Sequence, residues 1–120
     1  MSARHKRLTL ESLSLEEGMP VVVHLVAPKE QVWGVLVSLS ASGIVTRGID
    51  MRAFDEWVRQ AARADQETML GLSTLFYPMH RIERVEKDET IGPVEGHAAR
   101  LEREVGEALH KIVVRDASAS

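Results

Sequence analysis

The residues that could do chemistry are few and far apart. Five histidines, His5, His24, His80, His97 and His110, are scattered along the chain, and none forms a His-x-x-x-His pair. Glu107-Ala-Leu-His110 is a Glu-x-x-His, a spacing that sets two metal ligands on one helical face, but the second copy a di-metal bundle requires is missing. There is no cysteine, which removes disulfides, thiolate nucleophiles and thiolate metal sites. The eight glycines never cluster as G-x-G-x-x-G or as a P-loop, so no loop is built to cradle phosphate. Carboxylates are numerous but lie on helix faces and in a polar linker, where solvated ion pairs are expected. The sequence therefore predicts no catalytic residue, no metal, no cofactor and no enzymatic activity.

Two groups of residues point to binding instead. Tyr77, His80 and Arg81 surround the Pro78 bend, where side chains at a loop can face a ligand, and Ser40 lies in the turn Ser40-Ala41-Ser42-Gly43. Separately, Val94, Ala98, Leu101, Val105, Ala108 and Ile112 are spaced 4, 3, 4, 3, 4, the seam of a coiled coil. Leu101, Val105, Ala108 and Ile112 are the candidates for self-association, with docking onto the rest of the chain as the other use of the same seam. His24, inside a run of valines, reads as a hydrogen-bonded core or edge histidine rather than a base.

The elements that must position these residues centre on Gln31 to Ile49, two strands folded back at Ser40–Gly43. Trp33, Val35, Val37 and Leu39 alternate with Val32, Gly34, Leu36 and Ser38, so both faces carry apolar atoms and both are expected to be buried. Ahead of them, Ser14-Leu15-Glu16-Glu17 fits a capping box stopped by Gly18, and Met19 to Ala27 is a Val-rich run that predicts a strand. Pro28-Lys29-Glu30 predicts a turn. After Asp50, a plausible N-cap, Phe54, Trp57, Val58, Ala61 and Ala62 repeat at helical spacing as far as about Asp65 and predict a helix that seals a side of the sheet. Leu72 to Tyr77 and the polar Arg81 to Glu86 complete the strands, the last as an edge. Ile91-Gly92-Pro93 leads to the terminal helix, whose interior Gly106 weakens. The first nine or so residues read as a loose basic arm and Asp116 to Ser120 as a disordered tail.

Composition bounds the function classes. A chain of 120 residues is one domain, its hydrophobic fraction is 44%, and its net charge of −3 is the wrong sign for broad attraction to phosphate backbones. Acidic and basic residues interleave from Arg81 to Glu89 rather than forming a basic stripe, so DNA is not an expected partner. No apolar run reaches the length of a membrane span, and the expected location is the cytoplasm.

Two families share pieces of this pattern. Gly34-Val35-Leu36, with Leu39 and Ser40, resembles the Gly-x-Leu…Phe-Asp portion of the first motif of the bacterial Sm-like family. Phe76-Tyr77-Pro78-Met79-His80-Arg81-Ile82 resembles its second motif, in which a Tyr and a His near a tight bend meet RNA. The chain departs from it at Ser40, where an acidic residue is expected, at Ile44, where a polar one is, and at Pro78-Met79 within the Tyr-x-His spacing. This resemblance implies a ring-forming barrel with RNA as a possible partner of Tyr77, His80 and Arg81. Ser38-Leu39-Ser40-Ala41-Ser42-Gly43 resembles the Asp/Asn-x-Ser-x-x-Gly signature of the PilZ barrel, implying a cyclic dinucleotide near Ser40, although the paired arginines of that family are missing.

The expected fold is α+β and mainly β: a small five-stranded SH3-like or Sm-like barrel with an inserted helix at about 50–65 and a C-terminal helix at about 94–113. Residues 1–90 would form the barrel domain, and residues 91–120 the linker, amphipathic helix and tail. The expected function is a non-enzymatic binding or adaptor module that forms a homo-oligomer or binds a protein partner. A degenerate Sm-like RNA binder and a PilZ-like sensor are the alternatives.

Overall fold

A computed structural model describes residues 13–63 and 70–118 of the chain. Five strands, β1 (Pro20–Leu25), β2 (Glu30–Leu39), β3 (Gly43–Asp50), β4 (Ser73–Pro78) and β5 (Ile82–Lys87), form one antiparallel sheet in the order β4-β3-β2-β1-β5. Helix α1 (Met51–Ala62) follows β3, a 3-10 turn (Met79–Arg81) joins β4 to β5, and α2 (His97–Val105) and α3 (Leu109–Ser118) close the chain. The fold is α+β, as expected. The predicted basic arm and the predicted end of the first helix near Asp65 lie outside the described residues.

The sheet buries apolar side chains on both faces, but the alternation expected along β2 holds only to Leu36: the register shifts between Leu36 and Ser38, and Val37 and Leu39 are exposed. One face collects Val21, Val23, Leu25, Val32, Leu36, Ile44 and Tyr77. The other presents Val22 and Trp33 to the helices, where Phe54, Trp57, Val58, Ala98, Leu101 and Ile112 complete a second cluster. Trp33 is its centre: fully buried, with ring centroids 5.0 Å from Phe54 and 5.8 Å from Trp57. Tilted aromatic contacts of this kind add to the stabilisation from buried area alone. The stripe on α1 thus covers a face of the sheet, and Asp50 caps its N-terminus by accepting from the Arg52 backbone N–H.

The helical predictions at both ends need correction. Residues 14–18 form bends and turns, not the helical turn expected from the capping box. The C-terminal helix is two helices. Val94 is held in a bridged turn with Ile91 and is 67% exposed, and the first helical residue is His97. At Gly106 (φ +82°) the backbone turns left-handed, a conformation in which glycine has no Cβ penalty, and α2 stops. The side chain of Glu102 then accepts from the Leu109 N–H and starts α3. The tail is ordered at least to Ser118: Asp116 Oδ1 accepts from Arg47 Nη2 at 3.1 Å, and the same carboxylate accepts from the Leu72 N–H.

The seam residues consequently have uses within the chain. Leu101 and Ile112 are fully buried in the helix-side cluster, Val105 packs against it, and Ala108 lies exposed in the break between helices. No continuous stripe is left for a coiled-coil partner. Arg100 ties α2 to α1 through Asp55, and its guanidinium lies 5.4 Å over the Phe54 ring.

Candidate functional site

The turn at Ser40–Gly43 and the 3-10 turn after β4 lie together, because the Met79 N–H donates to the Ser42 carbonyl at 2.8 Å. Ser40, Tyr77 and His80 therefore share one end of the sheet. Their side chains do not converge. Ser40 Oγ accepts from the Ser42 N–H within its own turn. Tyr77 is buried on the sheet face away from the helices, and burial, followed by the charge of Glu30, pushes its hydroxyl above the usual tyrosine range. His80 is exposed on the 3-10 turn.

Arg81, expected at a ligand or RNA, points into the fold instead. Its Nε donates to the Val26 carbonyl at 3.0 Å, and its Nη2 donates to the Pro28 carbonyl and to Glu30 at 2.9 and 3.2 Å. A planar guanidinium with five donors suits this task, gathering two carbonyls and a carboxylate of the β1–β2 turn. We expect Arg81→Ala to destabilise the fold by roughly 1.5–3 kcal/mol, the range for losing hydrogen bonds to a charged group, read as a lower urea midpoint.

Other chemistry-bearing side chains are similarly occupied. His24 Nδ1 lies 3.2 Å from the Gln31 amide nitrogen, a donor, and its Nε2 lies 2.7 Å from Glu86. The network therefore places the imidazole proton on Nε2, with Nδ1 accepting. Glu107 pairs with Arg115 and lies in the break before α3, so it does not share a helical face with His110. Among the described residues no three His, Asp or Glu side chains are grouped to hold a metal. An open groove of about 450 Å³ is lined by Pro28, Lys29, Glu30, Gln31, Asp50 and Arg52. Its carboxylates are taken: Glu30 by Arg81, and Asp50 by Arg52, which holds the Asp50 carboxyl below its ordinary range.

The fold also leaves large apolar side chains uncovered at one end of the sheet. Leu75 and Phe76 on β4 are 50% and 54% exposed, and Val37, Leu39 and Met79 are exposed nearby. The cross-strand register sets Ser38, Val45 and Phe76 in a row on the helix-side face, beyond the helices. Leu75 takes the opposite face. The Phe76 ring lies close over Gly43, where a Cβ would stand 2.9 Å from the ring and 2.2 Å from the Tyr77 carbonyl oxygen. Glycine is required there by space. β4 is also an outer strand of the sheet, its second backbone edge paired with no other strand among the described residues, and Ser73 to Tyr77 carries no charge.

β5, the other outer strand, is protected in the usual way, by exposed Glu83, Arg84 and Glu86. The contrast between the two edges was not visible from the residues alone. The signal available was STLFY, five residues inside a longer uncharged run from Thr68 to Met79 with no charged gatekeeper.

Set against protein-family models, curated proteins and solved structures, the chain matches none of them. Among the described residues no helix is long and apolar enough to cross a membrane.

Proposed function

We propose that the chain is a non-enzymatic cytoplasmic binding module, its sheet curved into a small SH3-like or Sm-like barrel that stays open at β4. Its working surface is the apolar end of the sheet formed by Val37, Leu39, Leu75, Phe76 and Met79. The observation that carries this reading is the combination of half-exposed Leu75 and Phe76 with an uncharged strand edge that no other strand pairs with among the described residues. Exposed apolar groups beside free backbone donors and acceptors are what an added strand uses: the backbone gives affinity and the side chains give selectivity.

The RNA reading loses its main cation, since Arg81 is engaged with the β1–β2 turn. The dinucleotide reading is weakened because the Ser40 hydroxyl is used in its own turn. A photoreactive benzoylphenylalanine at position 76, compared in cells with one at exposed position 59 on α1, tests the proposal. A discrete protein adduct at 76 and none at 59 is the expected result. Nucleic-acid adducts alone, or no adduct at 76, would overturn it.

A further inference from the structure

We infer that the occupant of the β4 edge is β4 of a second copy of this chain, paired antiparallel about a twofold axis. The inference rests on the binding surface proposed above and names its partner. Charge supports this choice. The segment Ser73–Tyr77 carries no ionisable group that is charged at neutral pH, so two copies approach with neither like-charge repulsion nor a buried unpaired charge. Pairing β4 with the β5 edge of a neighbour would instead set Leu75 and Phe76 against Glu83, Arg84 and Glu86. Such a head-to-tail contact would desolvate charges against apolar groups and, by its symmetry, would run on into a ring or filament.

The geometry of a twofold pair is also favourable. An antiparallel strand pair about an axis normal to the sheet keeps faces matched, so directly opposed residues share a face. The residue at the axis then meets its own copy. With the axis at Phe76, Phe76 faces Phe76 and Leu75 faces Tyr77. With the axis at Leu75, Leu75 faces Leu75 and Phe76 faces Thr74. Either arrangement covers both half-exposed apolar side chains of each copy, and Pro78, which has no N–H to donate, ends the pairing at one side.

The absence of cysteine makes the test clean. The 120-residue chain at about 100 µM, where a dissociation constant in the micromolar range gives mostly dimer, should sediment at twice the 13.4 kDa chain mass. Phe76→Lys enters the interface twice and should raise the dimer dissociation constant about 10-fold or more with an unchanged circular dichroism spectrum. Should that variant lose its fold, the single-cysteine chains Leu75→Cys and Phe76→Cys decide instead. One of the two should form a disulfide-linked homodimer under mild oxidation, and Glu83→Cys on β5 should not. A monomer by sedimentation, a mass above the dimer, or crosslinking through position 83 would each overturn self-pairing. A position-76 photo-adduct to a different protein would also overturn it while leaving the binding-module reading intact. No adduct at all removes both.

Discussion

Asp88→Ala will be among the most destabilising single substitutions in this chain, although Asp88 lies just past the end of β5 in an apparently ordinary polar stretch. Its Oδ1 accepts from the His97 N–H at 2.7 Å, and its Oδ2 accepts from the Ala98 N–H at 2.7 Å and from the Trp33 indole N–H at 2.8 Å. The residue at the N-cap position of α2, Gly96, has no side chain to offer, so a carboxylate remote in sequence does the capping. The same group satisfies the only polar atom of the most deeply buried aromatic side chain, Trp33. Alanine would leave two helix-terminal N–H groups and a buried indole N–H without their partner.

Losing the two cap bonds costs about 1 kcal/mol each, and leaving the buried indole N–H unsatisfied costs about 1–3 kcal/mol, a loss of roughly 3–5 kcal/mol. That corresponds to a fall in Tm of roughly 10–20 °C for a domain of this size. Asp88→Asn keeps one acceptor oxygen and should lose less than half as much. Thermal unfolding followed by tryptophan fluorescence would measure both. Equal, small effects of the two variants would show that water replaces the carboxylate and that the network is not a cornerstone of the fold.

The sheet could be anticipated because its determinants are local. Period-two alternation in β2 and the run of valines in β1 specify strands, and the helical spacing of Phe54, Trp57 and Val58 specifies α1. His24 as a hydrogen-bonded histidine, core or edge, was equally readable from its apolar neighbours, and the structure buries it on the interior strand β1. The C-terminal region was harder, because two local signals conflict there. The seam from Leu101 to Ile112 runs through Gly106 as if the helix continued, while Gly106 permits the left-handed turn that ends it. What settles the conflict is non-local. Leu101 and Ile112 can both reach the Trp33 cluster when α2 and α3 are separate elements, and Asp116 reaches Arg47 and Leu72.

The surface at β4 was hidden for a related reason. Leu75 and Phe76 have the composition of a buried strand, and only the strand order reveals that, among the described residues, no strand flanks them on one side. Arg81 shows the converse, since a cation at a bend looks available until its carbonyl partners, Val26 and Pro28, are brought to it by the fold.

Gly48→Ala should be more damaging still, by a mechanism unrelated to hydrogen bonding. In the β2–β3 pair Gly34 stands opposite Gly48, and the two backbones nearly touch. A Cβ on Gly48 would lie 2.1 Å from the Trp33 carbonyl oxygen and 2.7 Å from the Gly34 Cα, while one on Gly34 would lie 2.8 Å from the Arg47 carbonyl oxygen. All of these neighbours are main chain, so no rotamer change can relieve the contact. The strands would have to separate where β3 sets the register of Trp33 and leads into α1.

Overpacking that flexible side chains can absorb costs about 1–3 kcal/mol, and a clash with fixed backbone should exceed that range, enough to unfold a domain of marginal stability. Gly106→Ala is the informative comparison. That glycine has a positive φ but no atom within 4 Å of an added Cβ, so only the left-handed backbone penalty of about 1–2 kcal/mol applies. Urea titrations should therefore rank the alanine variants Gly48, then Gly34, then Gly106, from most to least destabilised. A ranking that follows φ rather than crowding, with Gly106 at the top, would mean that β2 and β3 can part at little cost. The close glycine crossing would then not be what holds Trp33 beneath its helices.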